Sequence, residues 1–243
     1  MIKKYFCDRI NRNFSIAIIW INGGSSLDSF GKKGINHILC SLLTRGCEGF
    51  DNLALSDYIE SYGAELNHEV FEDGFLISLK SLDSYFNKIY PLIDLIINKP
   101  ILSKTQFQKV KKSTINAIKK YKENPFNNAF EKWRKIVYLN HPYAYNSNGY
   151  KKDVLELNYN DVLFEFEKFR GREKFLITNN PLVKSESIKN LDRKINQINH
   201  KQLNSEFSKN VRFVSSHNNS NQTIFMLGNQ TCSRNSADYL PLK

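Results

Sequence analysis

The sequence contains no apolar run approaching the ~20 residues of a membrane-crossing helix, so no stretch of it is expected to cross a bilayer in that form. Cysteine is scarce as well. The four present, Cys7, Cys40, Cys47 and Cys232, make no CxxC pair and no even framework of close spacings. That excludes a disulfide scaffold and a cysteine-cluster zinc module, and leaves free thiols in a reducing compartment as the expectation. The basic opening stretch MIKKYFCDRINRNF is not followed at once by an apolar signal segment. The short β-branched run at residues 16–21 reads as a strand instead, and the expected location is the cytoplasm. Disorder is excluded by what is abundant: 41% of the 243 residues are hydrophobic and 13% aromatic, enough for one large domain or two small ones.

The net charge of +11 and pI near 9.4 raise nucleic acid or acidic partners as classes. Lysine, asparagine and isoleucine are spread throughout the chain, however, as an AT-rich genome gives, and the lysine-rich helix carrying Lys109, Lys111, Lys112, Lys119, Lys120 and Lys122 reads as a solvated face. Nucleic-acid binding is therefore the lesser reading.

Periodicity sets the order of elements. An almost wholly apolar stretch at residues 15–22 predicts a central, covered strand, closed by Gly23-Gly24-Ser25-Ser26. A helix follows at residues 34–45, with Gly46 as its terminator, and another at 53–62 with Asn52 as its cap. Two strands at residues 65–71 and 75–82 flank Glu72-Asp73-Gly74, a strong hairpin signal. Helices are expected at 84–98, kinked at Pro91, then at 103–125, 127–139 and 160–169, the last capped by Asn160. A strand at 174–178 and a helix at 182–198 complete a first unit, residues 1–200. Composition turns polar from residue 199. A new apolar strand at 222–227, followed by a polar turn, repeats the chain's opening, so residues 201–243 are expected to be a linker and the start of a second, similar domain.

The stretch GINHILCSLLTRG organises the rest. Ile35, Ile38, Leu39, Leu42 and Leu43 form one helical face, and His37, Cys40 and Ser41 stand at i, i+3 and i+4, on neighbouring points of another. Around it, in order, come IIWINGGSSLD, YGAELNHEVFEDGFLISLK, KVKKSTINAIKKYKENP and HPYAYNSNG. Together these segments resemble the N-terminal half of the insulinase/pitrilysin-type zinc peptidases, the inverzincin group that includes the mitochondrial processing peptidase and bacterial relatives. The resemblance implies an α+β half-domain: a mixed, largely antiparallel sheet with helices packed mainly on one face. It also implies a metal helix carrying His-x-x-Glu-His, in which both histidines bind zinc and the glutamate is general base, with a third ligand, a glutamate, on a later helix.

Carried over residue by residue, that site is degenerate. His37 matches the first histidine, Cys40 stands at the glutamate and Ser41 at the second histidine. Alignment from Asn124-Pro125, and the ungapped spacing from Ser41, both place Ala117 at the third ligand. A complete set is worth about 10–16 kcal/mol to a bound zinc; one imidazole is not. No metal and no catalytic residue is therefore expected. The resemblance implies a non-catalytic subunit that pairs with an active zinc-peptidase homologue as a heterodimer and encloses a peptide, with Asn67 at the family's substrate-side strand position. The rivals are a peptidase with altered ligation, through His37, Cys40 and Cys47, and a thiol hydrolase in which His37 activates Cys40. A buried helical cysteine is ordinarily packing. His68 and His141 read as structural or surface residues.

Overall fold

The computed structural model describes residues 3–6, 13–180, 183, 212–215, 223–229 and 231–232. Five strands form one mixed sheet in the order β1-β5-β2-β4-β3: β1 (Lys3–Phe6), β2 (Phe14–Asn22), β3 (Glu65–Val70), β4 (Gly74–Leu82) and β5 (Lys174–Thr178). Only β1 and β5 run parallel; the other three pairings are antiparallel. The expected α+β class holds, and so does the central place of the first long apolar strand.

Period-two alternation decides which side of that sheet is covered. Along β2, Ser15, Ala17, Ile19 and Ile21 are fully buried, as are Phe75, Ile77 and Leu79 on β4 and Leu176 on β5. These side chains share one face, and the helices lie on it. The opposite face, with Ile16, Ile18 and Trp20 on β2, stays half-buried. An apolar strand was expected to be covered throughout, but only its inner face is.

The helices are α1 (Ile35–Leu43), α2 (Asn52–Ser61), α3 (Asp83–Ile89), α4 (Pro91–Asn98), α5 (Lys104–Glu123), α6 (Pro125–Val137), α7 (Lys151–Glu156) and α8 (Tyr159–Arg170). The kink expected at Pro91 is a full break: proline occupies the first turn of α4, where its missing N–H costs nothing. Two caps shift by a residue or two. Asp51, rather than Asn52, accepts the Leu53 and Ala54 N–H groups of α2. Asn158, rather than Asn160, caps α8, with Asp161 returning the bond in a reciprocal capping box. The turn between β3 and β4 falls where Asp73-Gly74 predicted it, closed by Phe71 N–H donating to the Gly74 carbonyl at 2.8 Å.

The expected strand at 222–227 is not formed in its described part. Residues 223–229 have no regular structure, and they pass over α6: a Cβ at Gly228 would stand 2.5 Å from the Trp133 ring. The expected helix at 182–198 lies outside the described residues apart from Val183.

Candidate functional site

Helix α1 is pinned to the molecule at its first turn. Gly34, with φ of 101°, precedes it in a conformation that suits glycine, and there is no side-chain cap from that residue. The capping role falls to Asp28, six residues upstream. Its carboxylate accepts from Gly34 N–H at 2.6 Å, Asn36 N–H at 3.2 Å and Asn36 Nδ2 at 2.7 Å, while the Lys33 ammonium donates to its backbone carbonyl. Burial nonetheless pushes the Asp28 carboxyl up to about 6, against the pull of those bonds. Beneath the helix, Arg172 lies between the Phe75 and Phe169 rings, 5.3 and 5.9 Å from their centroids, and pairs with Glu165; both residues are buried.

From this fixed start, the helix period turns the three motif residues to different fates. The His37 ring is half-buried and makes no hydrogen bond among the described residues. Burial, and to a lesser degree the neighbouring His68, lower its pKa to about 4, so it is a neutral imidazole at neutral pH. Cys40 is fully buried, with its thiol 3.9 Å from the Glu69 carbonyl oxygen, and burial pushes its pKa far above the usual thiol range. A thiolate nucleophile at Cys40 is therefore disfavoured, and no hydrogen bond links it to His37. Cys47 sits past the helix in a tight turn, where its N–H donates to the Phe50 carbonyl at 2.9 Å, and burial lifts its thiol to about 11.

Ser41 has acquired a partner from another element. Its Oγ lies 3.1 Å from His68 Nε2, and the other ring nitrogen, Nδ1, lies 3.1 Å from Thr44 Oγ1. Thr44 in turn donates to the Ser41 carbonyl at 3.2 Å. The sequence reading set His68 aside as structural or surface. The signal that places it was present: Leu66, His68 and Val70 alternate with Glu65, Asn67 and Glu69, so His68 shares the inward face of β3 and meets α1. Desolvation, with a smaller push from Arg45, holds its pKa below the ordinary imidazole value.

The other sequence-predicted positions stand apart. Asn67 points to the exposed side of β3, where its Nδ2 donates to Glu65 Oε1 at 2.7 Å. Ala117 is exposed on α5, seven residues on from the buried Val110. The buried side chains of α5 are Phe107, Val110, Thr114 and Ile118. None of these carries a carboxylate. Among the described residues no three histidine, cysteine, aspartate or glutamate side chains converge as a metal site would require. A zinc ion, which the motif's ancestry implies, thus does not fit the donors here: one free imidazole, a serine committed to His68 and a thiol turned into the core.

A second cluster buttresses the loop after α6. Arg134 donates from Nε to the Tyr143 carbonyl at 2.8 Å, and from Nη2 to the Tyr145 carbonyl at 2.9 Å and Glu72 Oε1 at 2.6 Å. Tyr143 hydroxyl bonds the Asp73 carboxylate. His141 Nδ1 accepts the Tyr143 N–H at 3.2 Å, which gives that histidine a structural role.

Comparison with known proteins agrees with this architecture. The sequence pattern of Insulinase (Peptidase family M16) matches residues 8–148. Among solved structures, the peptidase M16 inactive domain from Pseudomonas fluorescens is similar, with a TM-score of 0.63 and 23% identity over 73% of this chain and 43% of that one. A protease from Helicobacter pylori gives 0.65 and 15%, over 70% of this chain and 41% of that one. Pitrilysin gives 0.63 and 15%, over 72% of this chain and 20% of that one. The chain thus spans about two fifths of the first two structures and a fifth of pitrilysin. No curated protein sequence matches. With more than half of its residues matched by the family pattern and the sheet and helices in the corresponding arrangement, the chain belongs to the insulinase family of peptidases, M16.

Proposed function

We propose that this chain is a homologue of the insulinase-type zinc peptidases that has lost zinc chemistry and serves as a partner subunit, helping to enclose a peptide for an active homologue. One observation carries the reading: at the second-histidine position, Ser41 is bound into a closed hydrogen-bond chain with His68 and Thr44. Without a metal, no bound water is acidified toward neutral pH as a zinc-bound water is. The similar Pseudomonas fluorescens structure is itself described as an inactive domain.

The fold supports the substrate half of the reading through β3. It is the last strand of the sheet among the described residues, pairing only with β4, so its outer edge offers backbone groups to an extended peptide. Asn67 and Glu69 lie exposed along that edge. The basic balance of the chain favours an acidic partner or substrate.

The experiment is reconstitution. The chain is co-expressed with an M16 homologue from the same genome that carries an intact His-x-x-Glu-His motif. The expected result is a stable complex whose peptidase activity exceeds that of the homologue alone, with none from this chain alone. Separate elution of the two chains, with no change in activity, would remove the subunit reading.

A further inference from the structure

The chain formed by Ser41, His68 and Thr44 has two directions, one for each His68 tautomer. In one of them Thr44 Oγ1 donates to the Ser41 carbonyl, 3.2 Å away, and offers His68 its lone pairs. His68 Nδ1, 3.1 Å from that oxygen, then carries the ring hydrogen. Nε2 is then left bare, 3.1 Å from Ser41 Oγ, and the one hydrogen that fits between them is the serine's own. The result is a hydroxyl donating to an unprotonated imidazole whose far nitrogen is held by an acceptor. This is the arrangement a nucleophilic serine needs: a base within hydrogen-bond reach, itself oriented by a third group.

We propose that Ser41 and His68 are a nucleophile–base pair that takes an acyl group from a carboxylic ester without a metal. Ser41 loses its proton to His68 Nε2 as Oγ bonds the acyl carbon. The bond from that carbon to the alcohol oxygen then breaks, and the alcohol leaves with the proton from Nε2. Water repeats the step, releasing the carboxylic acid and restoring the serine hydroxyl.

The placement suits this chemistry. Ser41 is 7% exposed and its partners His68 and Thr44 are half-buried, so the pair sits at the rim of the helix layer. It adjoins β3, whose outer edge has no strand beside it among the described residues. Cys40, the neighbouring nucleophile by chemistry, is fully buried and does not compete. Thr44 is a positioning residue in this scheme; it fixes the tautomer and touches no substrate. The inference goes beyond the subunit reading and does not rest on it, since it needs neither partner nor peptide.

The test uses the full chain alone, in EDTA, with p-nitrophenyl acetate. Release of p-nitrophenolate is followed, and the acetylated residue is mapped by peptide mass spectrometry. One acetyl group per chain is expected on Ser41, with acylation slowed about 100-fold or more in His68→Gln, the scale of general-base assistance, and absent in Ser41→Ala. Acetyl on lysines or other residues with Ser41 unmodified overturns the proposal. So does acylation of Ser41 in His68→Gln at the wild-type rate. The wild-type map decides even where a variant fails to fold.

Discussion

Ser41 Oγ lies 3.1 Å from His68 Nε2, joining helix α1 to β3, the last strand of the sheet among the described residues. A neutral hydrogen bond of this kind is typically worth ~1 kcal/mol net. His68→Ala is therefore expected to destabilise the fold only modestly, by about 1–2 kcal/mol in urea unfolding, because Ser41 and Thr44 regain water at the rim. A loss near the size of a structural metal site would contradict this.

Asp28 holds the first turn of α1 through three accepted hydrogen bonds. Asp28→Ala leaves the Gly34 and Asn36 donors unsatisfied in a buried place. A loss of about 2–4 kcal/mol is expected from several such orphaned groups, read as a lower urea midpoint at unchanged slope.

The same carboxyl and His37 act on acid stability with opposite signs. Asp28 titrates near 6 in the fold, above its ordinary value of 3.8, so it binds a proton more readily folded than unfolded. Its contribution is greatest below pH 3.8 and is lost as pH rises toward 6. His37 titrates near 4 in the fold against 6.5 unfolded, so its contribution is present above pH 6.5 and is lost as pH falls toward 4. His37→Leu is expected to retain more stability than the wild type between pH 6.5 and 4, relative to each protein's value at pH 7.5. Chemical unfolding across that range checks it. Equal acid slopes in the two proteins would count against a neutral His37.

The Arg172–Glu165 pair is buried behind α1. Arg172→Met leaves the buried Glu165 carboxylate only the partly exposed Lys168, 3.4 Å away, and is expected to cost about 3 kcal/mol. Arg172→Met with Glu165→Leu removes both charges and is expected to recover most of that loss. A double variant less stable than Arg172→Met alone would show that the pair itself, rather than its charge balance, holds this layer together.

Most of the fold could be read from period and punctuation. The sequence signals were strong where a strand is long and apolar, as in β2, or where Asp73-Gly74 forces a hairpin. They were weak in two places. Strand β1 is four residues long and carries two lysines, so its pairing with β5 depends on a tertiary neighbour rather than on local pattern. Helix α7 has six residues and one fully buried anchor, Val154, too little for a periodic signal. The site was half legible. Local spacing showed His37, Cys40 and Ser41 on α1, but the partner that binds Ser41 comes from a strand 27 residues away. Ala117 came from the resemblance and its spacing rather than from local pattern; the buried side chain next to it on α5 is Ile118.

The most direct measurement is metal content. The purified chain is dialysed against zinc at cellular concentration and analysed by atomic emission, beside His37→Ala. A lone free imidazole is expected to retain less than about one zinc per ten chains, with no difference between the two proteins. Stoichiometric zinc in the wild type, lost on His37→Ala, would mean that α1 still holds a working metal centre.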